Sequence, residues 1–260
     1  MVQQIAVLSD THGVDPTLAA VLAEPDVRSA DLVVVTGDLA AGPQPTQVLD
    51  RLRALGDRGL LVRGNADRDL VTVARGGQPP EGTPAVDLWA AAQLGAADIT
   101  LLDQLPHPAT VDLDDFGQVL FCHGTPRDDN EVVLVDTRLS RWADVLADVP
   151  DAVRIVCMGH THVPFARLVG RRWLVNSGST GMPYGSSGVP WVLLSASGIR
   201  LRTTAIDPAE VAAAVVADSG FPEVDQWVQD YIVHPPSDVD AVLAFAARDG
   251  RDPQWNAAGV

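Results

Sequence analysis

The chain has 260 residues, with 18 Lys+Arg against 34 Asp+Glu and a formal charge of −16 at pH 7. That balance disfavours nonspecific nucleic-acid binding and docking of a basic patch on acidic membranes. All 18 cations are Arg, which excludes Schiff-base lysine chemistry, a Walker-type phosphate loop and a kinase lysine.

At 47% hydrophobic and 20% charged residues the composition is that of a globular chain with ample core. No apolar run approaches the ~20 residues of a membrane span. Residues 1–4 bring no cationic stretch ahead of their short apolar run, so the start reads as a first strand rather than a signal peptide. A cytoplasmic protein is expected. In chain order, β-rich runs at 4–9, 32–36, 59–63, 118–122, 154–158, 173–175 and 191–194 each end abruptly in polar or Gly-containing residues, as buried strands do. A helix is predicted over 46–55, where Val48, Leu49, Leu52 and Leu55 recur at helical spacing behind Pro45. The Gly- and Pro-rich stretch 75–84 reads as a loop, either a lid or a solvated connection, followed by a helix at 86–94. Ala-rich segments at 210–217 and 239–248 are helical by pattern and lie apart from the turns described next. Alternation of strand and helix predicts an α/β fold, with a main domain over 1–204 and a helical C-terminal extension over 205–260 packed on it. Cys122 and Cys157 sit inside apolar runs and are expected to be reduced, small core residues.

The informative residues come directly after the strands. Asp10 and His12 follow the first, Gly37-Asp38 the second, Gly64-Asn65 the third, His123-Gly124 the fourth, and Gly159-His160-Thr161-His162 the fifth. Carboxyl ends of parallel strands face one crevice, so these scattered positions converge in space. Two carboxylates, one amide and four imidazoles exceed a single tetrahedral site and suit two divalent ions of higher coordination number. In Asp10-Thr11-His12 and His160-Thr161-His162 the i, i+2 spacing is expected to throw both side chains to one side of extended backbone. Glycines ahead of Asp38, Asn65 and His160 are expected to let the chain turn and to keep bulk away from the ions.

These five segments, in this order, resemble the calcineurin-like metallophosphoesterases, and within them the compact bacterial phosphodiesterase-like branch. The resemblance spans roughly residues 4–195, and 175–181 is similar to the family's late Asn-Pro-Gly-Ser turn, with Ser177 in place of the proline. It implies a two-sheet αββα sandwich and a dinuclear centre. Asp10, His12 and His162 would hold one ion, Asn65, His123 and His160 the other, and Asp38 would bridge, with Asp38, Asn65 and His123 counted as catalytic. A carboxylate has lone pairs on two oxygens to share between ions, which an imidazole lacks. A water bridging the same ions would lose a proton near neutral pH and attack phosphorus. With no thiolate in the set, Mn²⁺ is the expected ion, with Fe, Zn, Ni or Co as alternatives.

Some residues keep two readings. Asn65 suits a ligand or left-handed backbone, and Asp67 suits orientation of a ligand His or a helix cap. Arg127 suits substrate phosphate or a structural ion pair, and Asn176 and Ser179 line the site or simply make a turn. Gly37-Asp38 runs into Leu39-Ala40-Ala41 rather than the Asp-Arg-Gly of Ser/Thr protein phosphatases, which disfavours that activity. Ala66 stands where many relatives carry a His thought to protonate the leaving oxygen. The expected function is therefore phosphodiester hydrolysis of a small phosphorylated substrate. Phosphomonoester or dinucleoside polyphosphate hydrolysis is the alternative, and a non-catalytic scaffold of the same fold is the competing class. No stable nucleic-acid or membrane partner is expected.

Overall fold

Ile5 and Val7 point to one side of the first strand and Ala6 and Leu8 to the other, and all four are fully buried. A strand buried on both faces must lie inside a layered structure. A computed structural model describes residues 2–114, 116–185 and 188–250. The chain opens with β1 (Gln4–Leu8), α1 (Asp15–Ala23), α2 (Pro25–Ser29), β2 (Leu32–Val35), α3 (Pro45–Arg53) and β3 (Gly59–Leu61). Three helices follow, α4 (Asn65–Ala74), α5 (Ala85–Gln93) and α6 (Ala96–Asp103). Then come β4 (Ala109–Leu113), β5 (Gly117–Phe121), α7 (Leu139–Val145), β6 (Val153–Met158), β7 (Phe165–Val169) and β8 (Arg172–Asn176). The described chain ends with β9 (Val189–Ser195), β10 (Gly198–Thr204), α8 (Pro208–Asp218), α9 (Val224–Val228) and α10 (Asp238–Ala246).

The strands form two five-stranded sheets, ordered β10-β9-β1-β2-β3 and β4-β5-β6-β8-β7. Within them β1, β2 and β3 run parallel, as do β5, β6 and β8. Ile5, Val7 and Val34 of the first sheet meet Phe121, Ile155 and Cys157 of the second in the central core. The opposite face of the first sheet, with Ala6, Leu8 and Val33, packs on Leu18, Val48 and Leu49 of the helices. Leu120, Val156 and Leu174 of the second sheet cover Trp142 and Val145 of α7. The architecture is thus the α/β two-sheet sandwich flanked by helices, with helices at the C-terminal end. Cys122 and Cys157 are free and buried in it.

All seven apolar runs are strands, and the predicted helices appear as α3, α5, α8 and α10 with ends shifted by one or two residues. Three strands, β4, β7 and β10, were not anticipated. They lie at sheet edges, and alternating exposure along β4 and β7 denies them a continuous apolar run. Helices α8 and α9 close a separate apolar cluster in which Val211, Val215, Phe221 and Trp227 pack with Val14 and Val86. Of the predicted 205–260 segment, residues 251–260 lie outside the described residues. Among the described residues no single helix is long and apolar enough to cross a membrane.

Candidate metal centre

Both parallel strand sets end on the same crevice, and the polar residues follow their last strand positions. The turns after β1, β2, β3, β5 and β6 supply Asp10 and His12, Asp38, Asn65, His123, and His160 and His162 respectively. Asp10, His12 and His162 present ligand atoms within 4.8 Å of one another, and Asp38, His123 and His160 form a second such group.

The local backbone differs from expectation. Asp10, His12, Asp38, His160 and His162 all have positive φ, from 41 to 68°, and among the described residues these five are the only non-glycines that do. Their side chains converge through left-handed turns and not along extended chain. Left-handed backbone costs an L-residue about 1–2 kcal/mol, so packing and hydrogen bonds must hold these turns in place. Thr11 Oγ1 donates to Leu39 O at 2.7 Å, and His12 N–H to Asp38 O at 3.0 Å. Asn176, fully buried, donates from Nδ2 to Gly159 O at 2.6 Å and to Thr161 Oγ1 at 3.1 Å, while its Oδ1 accepts from Gly178 N–H at 2.8 Å. Gly64 and Gly159 serve close approach: a side chain on Gly64 would run into Asp38 Oδ1, and one on Gly159 into Asp10 Oδ2.

The imidazoles are pre-oriented. His12, His123 and His162 each direct Nδ1 to a backbone carbonyl, of Ala41 (3.1 Å), Thr36 (2.7 Å) and Met182 (2.9 Å). Donation from Nδ1 fixes the tautomer and turns the Nε2 lone pair inward. His12 Nε2 and His162 Nε2 then face each other at 3.1 Å, an arrangement in which neither neutral ring has a proton to offer. His123 Nε2 and Asn65 Oδ1 are buried with no hydrogen-bond partner. A set of inward lone pairs without donors is what a cation satisfies, so the residues fit metal ions.

Both carboxylates reach toward imidazoles of both groups. Asp38 Oδ2 lies 3.1 Å from His123 Nε2 and 3.8 Å from His12 Nε2. Asp10 Oδ1 lies 3.3 Å from His162 Nε2 and 3.9 Å from those of His12 and His123. Their other commitments distinguish them. Asp10 accepts His160 N–H on both oxygens, at 3.2 and 3.0 Å. Asp38 accepts Ala66 N–H on Oδ1 at 2.8 Å and turns Oδ2 to the imidazoles. Burial opposes the charge on Asp38, yet His123 and His12 hold its carboxyl well below the usual range. Burial likewise disfavours a charged His123, but Asp38 and Asp10 overcome it and push the ring up to about 10. Burial and the neighbouring His123 push His160 down to about 3.

Three other expected residues serve the structure. Arg127 pairs with Glu131 and Asp144, each at 2.8 Å, on the surface, which is its structural reading and not substrate contact. Asn176 has both Nδ2 protons and Oδ1 engaged, so it holds the His160–His162 turn and has nothing left for a substrate. Ser179 makes a turn, donating to Asp10 O and accepting from Met182 N–H, both at 2.7 Å.

Two clefts open on the cluster. One, of about 220 Å³, is lined by His12, Met182, Phe221, Trp227 and Tyr231. The other, of about 420 Å³, is lined by Asn65, Ala66, Asp69, Asn130 and Arg248. Pro84 and Asp87 line both, so the end of the 75–84 loop forms the wall between them. Sequence reasoning missed the contribution of the C-terminal segment: Phe245 lies 5.9 Å from the His160 ring, and Arg248 Nη2 lies 3.2 Å from His160 Nε2. Nothing in the local sequence marks them, since neither sits in a strand-end turn.

The sequence model of the calcineurin-like phosphoesterase superfamily domain matches residues 4–197. Among solved structures, a metallophosphoesterase from Sphaerobacter thermophilus is 21% identical, with a TM-score of 0.67 over 87% of this chain and 98% of its own. A hypothetical protein from Pyrococcus horikoshii OT3 is 16% identical, with a TM-score of 0.74 over 89% of this chain and 99% of its own. At such identities the likeness bears on the fold alone. No curated protein matches the sequence.

Proposed function

The chain belongs to the calcineurin-like phosphoesterase superfamily, and from that premise we propose that it is a cytoplasmic, metal-dependent hydrolase of phosphodiesters. The observation that carries the reading is the pair of ligand groups, Asp10-His12-His162 and Asp38-His123-His160, in which Nε2 of His12, His162 and His123 turns inward without a donor. In this reading Asp10, His12 and His162 hold one divalent ion, and Asn65, His123 and His160 the other, with Mn²⁺ favoured by an all-O/N donor set. Asp38 would be shared between them, a role supported by an Oδ2 that faces an imidazole of each group. Two ions bound there would supply Lewis-acid charge to the phosphoryl oxygens and would lower the pKa of a water placed to attack phosphorus.

The chain's own groups set the rest. The Nδ1 contacts of His12, His123 and His162 fix the orientation of each ring and aim its Nε2 inward. Asp67 anchors the turn that presents Asp38, through the backbone N–H of Asp38 and Leu39. Ala66, at the cleft wall, has no proton to give a departing oxygen, which favours esters whose leaving group departs without one and supports diesters over monoesters. The test is a panel of diesters, monoesters and nucleotide anhydrides offered to Mn²⁺-loaded protein. Diester turnover that disappears on chelation and returns with Mn²⁺ is expected. Full turnover after exhaustive chelation would overturn the metal-dependent reading.

A further inference from the structure

The clefts beside the cluster are lined by acids. Asp87, Glu223 and Asp230 border one, and Asp69, Glu81 and Asp87 border the other. Among the described residues Arg248 is the one Lys or Arg that lines either. A phosphoester approaching a protein of charge −16 therefore meets the Arg248 guanidinium there, and guanidinium is the side chain whose planar fork matches phosphoryl oxygens.

Arg248 is held at the site by both flanks. Before it, α10 starts on a reciprocal cap, with Ser237 Oγ accepting from Asp240 N–H and Asp240 Oδ2 accepting from Ser237 N–H. After it, buried Asp249 accepts from Thr137 Oγ1 at 2.7 Å, and Gly250 O from Arg138 at 3.1 Å. Asn130 takes Arg248 Nη2 on its backbone O at 2.7 Å and on Oδ1 at 2.6 Å. Phe245 lies 5.7 Å below the guanidinium carbon. Among the described residues Nη1 and Nε of Arg248 make no hydrogen bond, leaving donors free for a ligand.

The contact of Nη2 with His160 Nε2 requires that nitrogen to accept. A neutral His160 bound to an ion cannot offer it. If Nε2 is the ligand atom its lone pair is donated, and if Nδ1 is the ligand atom Nε2 carries the proton. Metal binding and the Arg248 contact therefore exclude each other at His160.

We propose that Arg248 is a phosphate-binding residue: a metal ion at His160 ends the contact there, and the guanidinium, kept on Asn130 through Nη2, turns Nη1 and Nε to the phosphoryl oxygens of the substrate. The inference deepens the phosphoesterase reading and rests on it for the identity of the ligand. It also assigns the C-terminal segment, beyond the 4–197 match to the superfamily, a part in recognising substrate.

Calorimetric titration with Mn²⁺, and then with inorganic phosphate on the Mn²⁺-loaded protein, tests both halves without reference to turnover. Arg248→Met should bind Mn²⁺ about 3- to 10-fold more tightly, since one competing hydrogen bond is gone. It should bind phosphate about 10- to 100-fold more weakly, the usual worth of a charge-assisted contact. Arg248→Lys keeps the charge without the fork and should recover part of the phosphate affinity, and it stands in should the Met variant fail to fold. Unchanged phosphate affinity in either folded variant would overturn the assignment, as would unchanged Mn²⁺ affinity in Arg248→Met. Failure of the wild-type protein to hydrolyse any ester would count against the proposed function instead, and the two binding titrations would still decide Arg248.

Discussion

The buried carboxylate of Asp67 accepts the backbone N–H of Asp38 at 2.9 Å, and its second oxygen accepts that of Leu39 at 2.8 Å. It also accepts Gly64 N–H at 2.8 Å, closing the start of α4. One side chain thus joins the turn after β2 to the turn after β3 and holds Asp38 in its left-handed conformation. Burial and the nearby Asp38 push Asp67 up to about 7.

Asp67→Ala should therefore destabilise the protein by about 3 kcal/mol, because three buried N–H groups lose their acceptor. It should also weaken Mn²⁺ binding by about 10- to 100-fold, the usual effect of removing a group that orients a ligand. Urea unfolding and metal titration measure the two separately. Wild-type metal affinity in a destabilised Asp67→Ala protein would confine Asp67 to helix capping.

In metal-free protein His123 titrates at about 10, yet a ligand imidazole must be neutral. Mn²⁺ binding near pH 7.5 should then release about one proton from His123, and apparent affinity should climb as pH rises toward 10. The linked stability has the opposite sense. The His123 ring is raised in the fold, so its contribution to metal-free stability is complete below the unfolded value near 6.5 and is lost as pH rises through 10. Titration in buffers of different ionisation enthalpy counts the proton, and a pH-independent affinity would contradict the assignment.

Asp38→Asn should lower kcat by more than His162→Ala or Asn65→Ala. Asp38 Oδ2 stands between His123 and His12, so the change weakens both ligand groups where the others weaken one. Metal content per chain and kcat, measured on all three variants, decide the matter. Retention of both ions and most of kcat in Asp38→Asn would remove its bridging role.

With Ala66 beside the ligand Asn65, turnover should depend steeply on leaving-group basicity, and aryl diesters should outpace alkyl and nucleoside diesters. Ala66→His should raise the poor leaving groups by about 10-fold, below the ordinary range for a general acid because the new ring has no tuned surroundings. A shallow slope in the wild-type protein would instead point to Asp87, which lines both clefts and is pushed up to about 7 by burial and by Asp38 and Asp69. Asp87→Asn would then steepen the slope, which a leaving-group series at matched metal content would detect.

The seven ligand candidates were legible in the sequence because they share one simple signal, a buried apolar run that stops at Asp, Asn or His. That signal also revealed the inner strands and, through alternation with helices, the layered fold. Edge strands such as β7 escaped it because alternate residues face solvent. Arg127 and Asn176 stood beside the right turns, and only their hydrogen-bond partners show that one is paired with Glu131 and Asp144 and the other is consumed in holding the His160–His162 turn.

The sequence by itself determined which residue types meet at the crevice, since strand polarity places every turn after a parallel strand on the same side. Tertiary structure alone decided how they meet: left-handed backbone at Asp10, His12, Asp38, His160 and His162 is an unfavourable local choice that no propensity announces and only surrounding contacts sustain. It also decided that Arg248, 88 residues beyond His160, shares the site, because that contact depends on where the α10 segment docks and on no pattern within it.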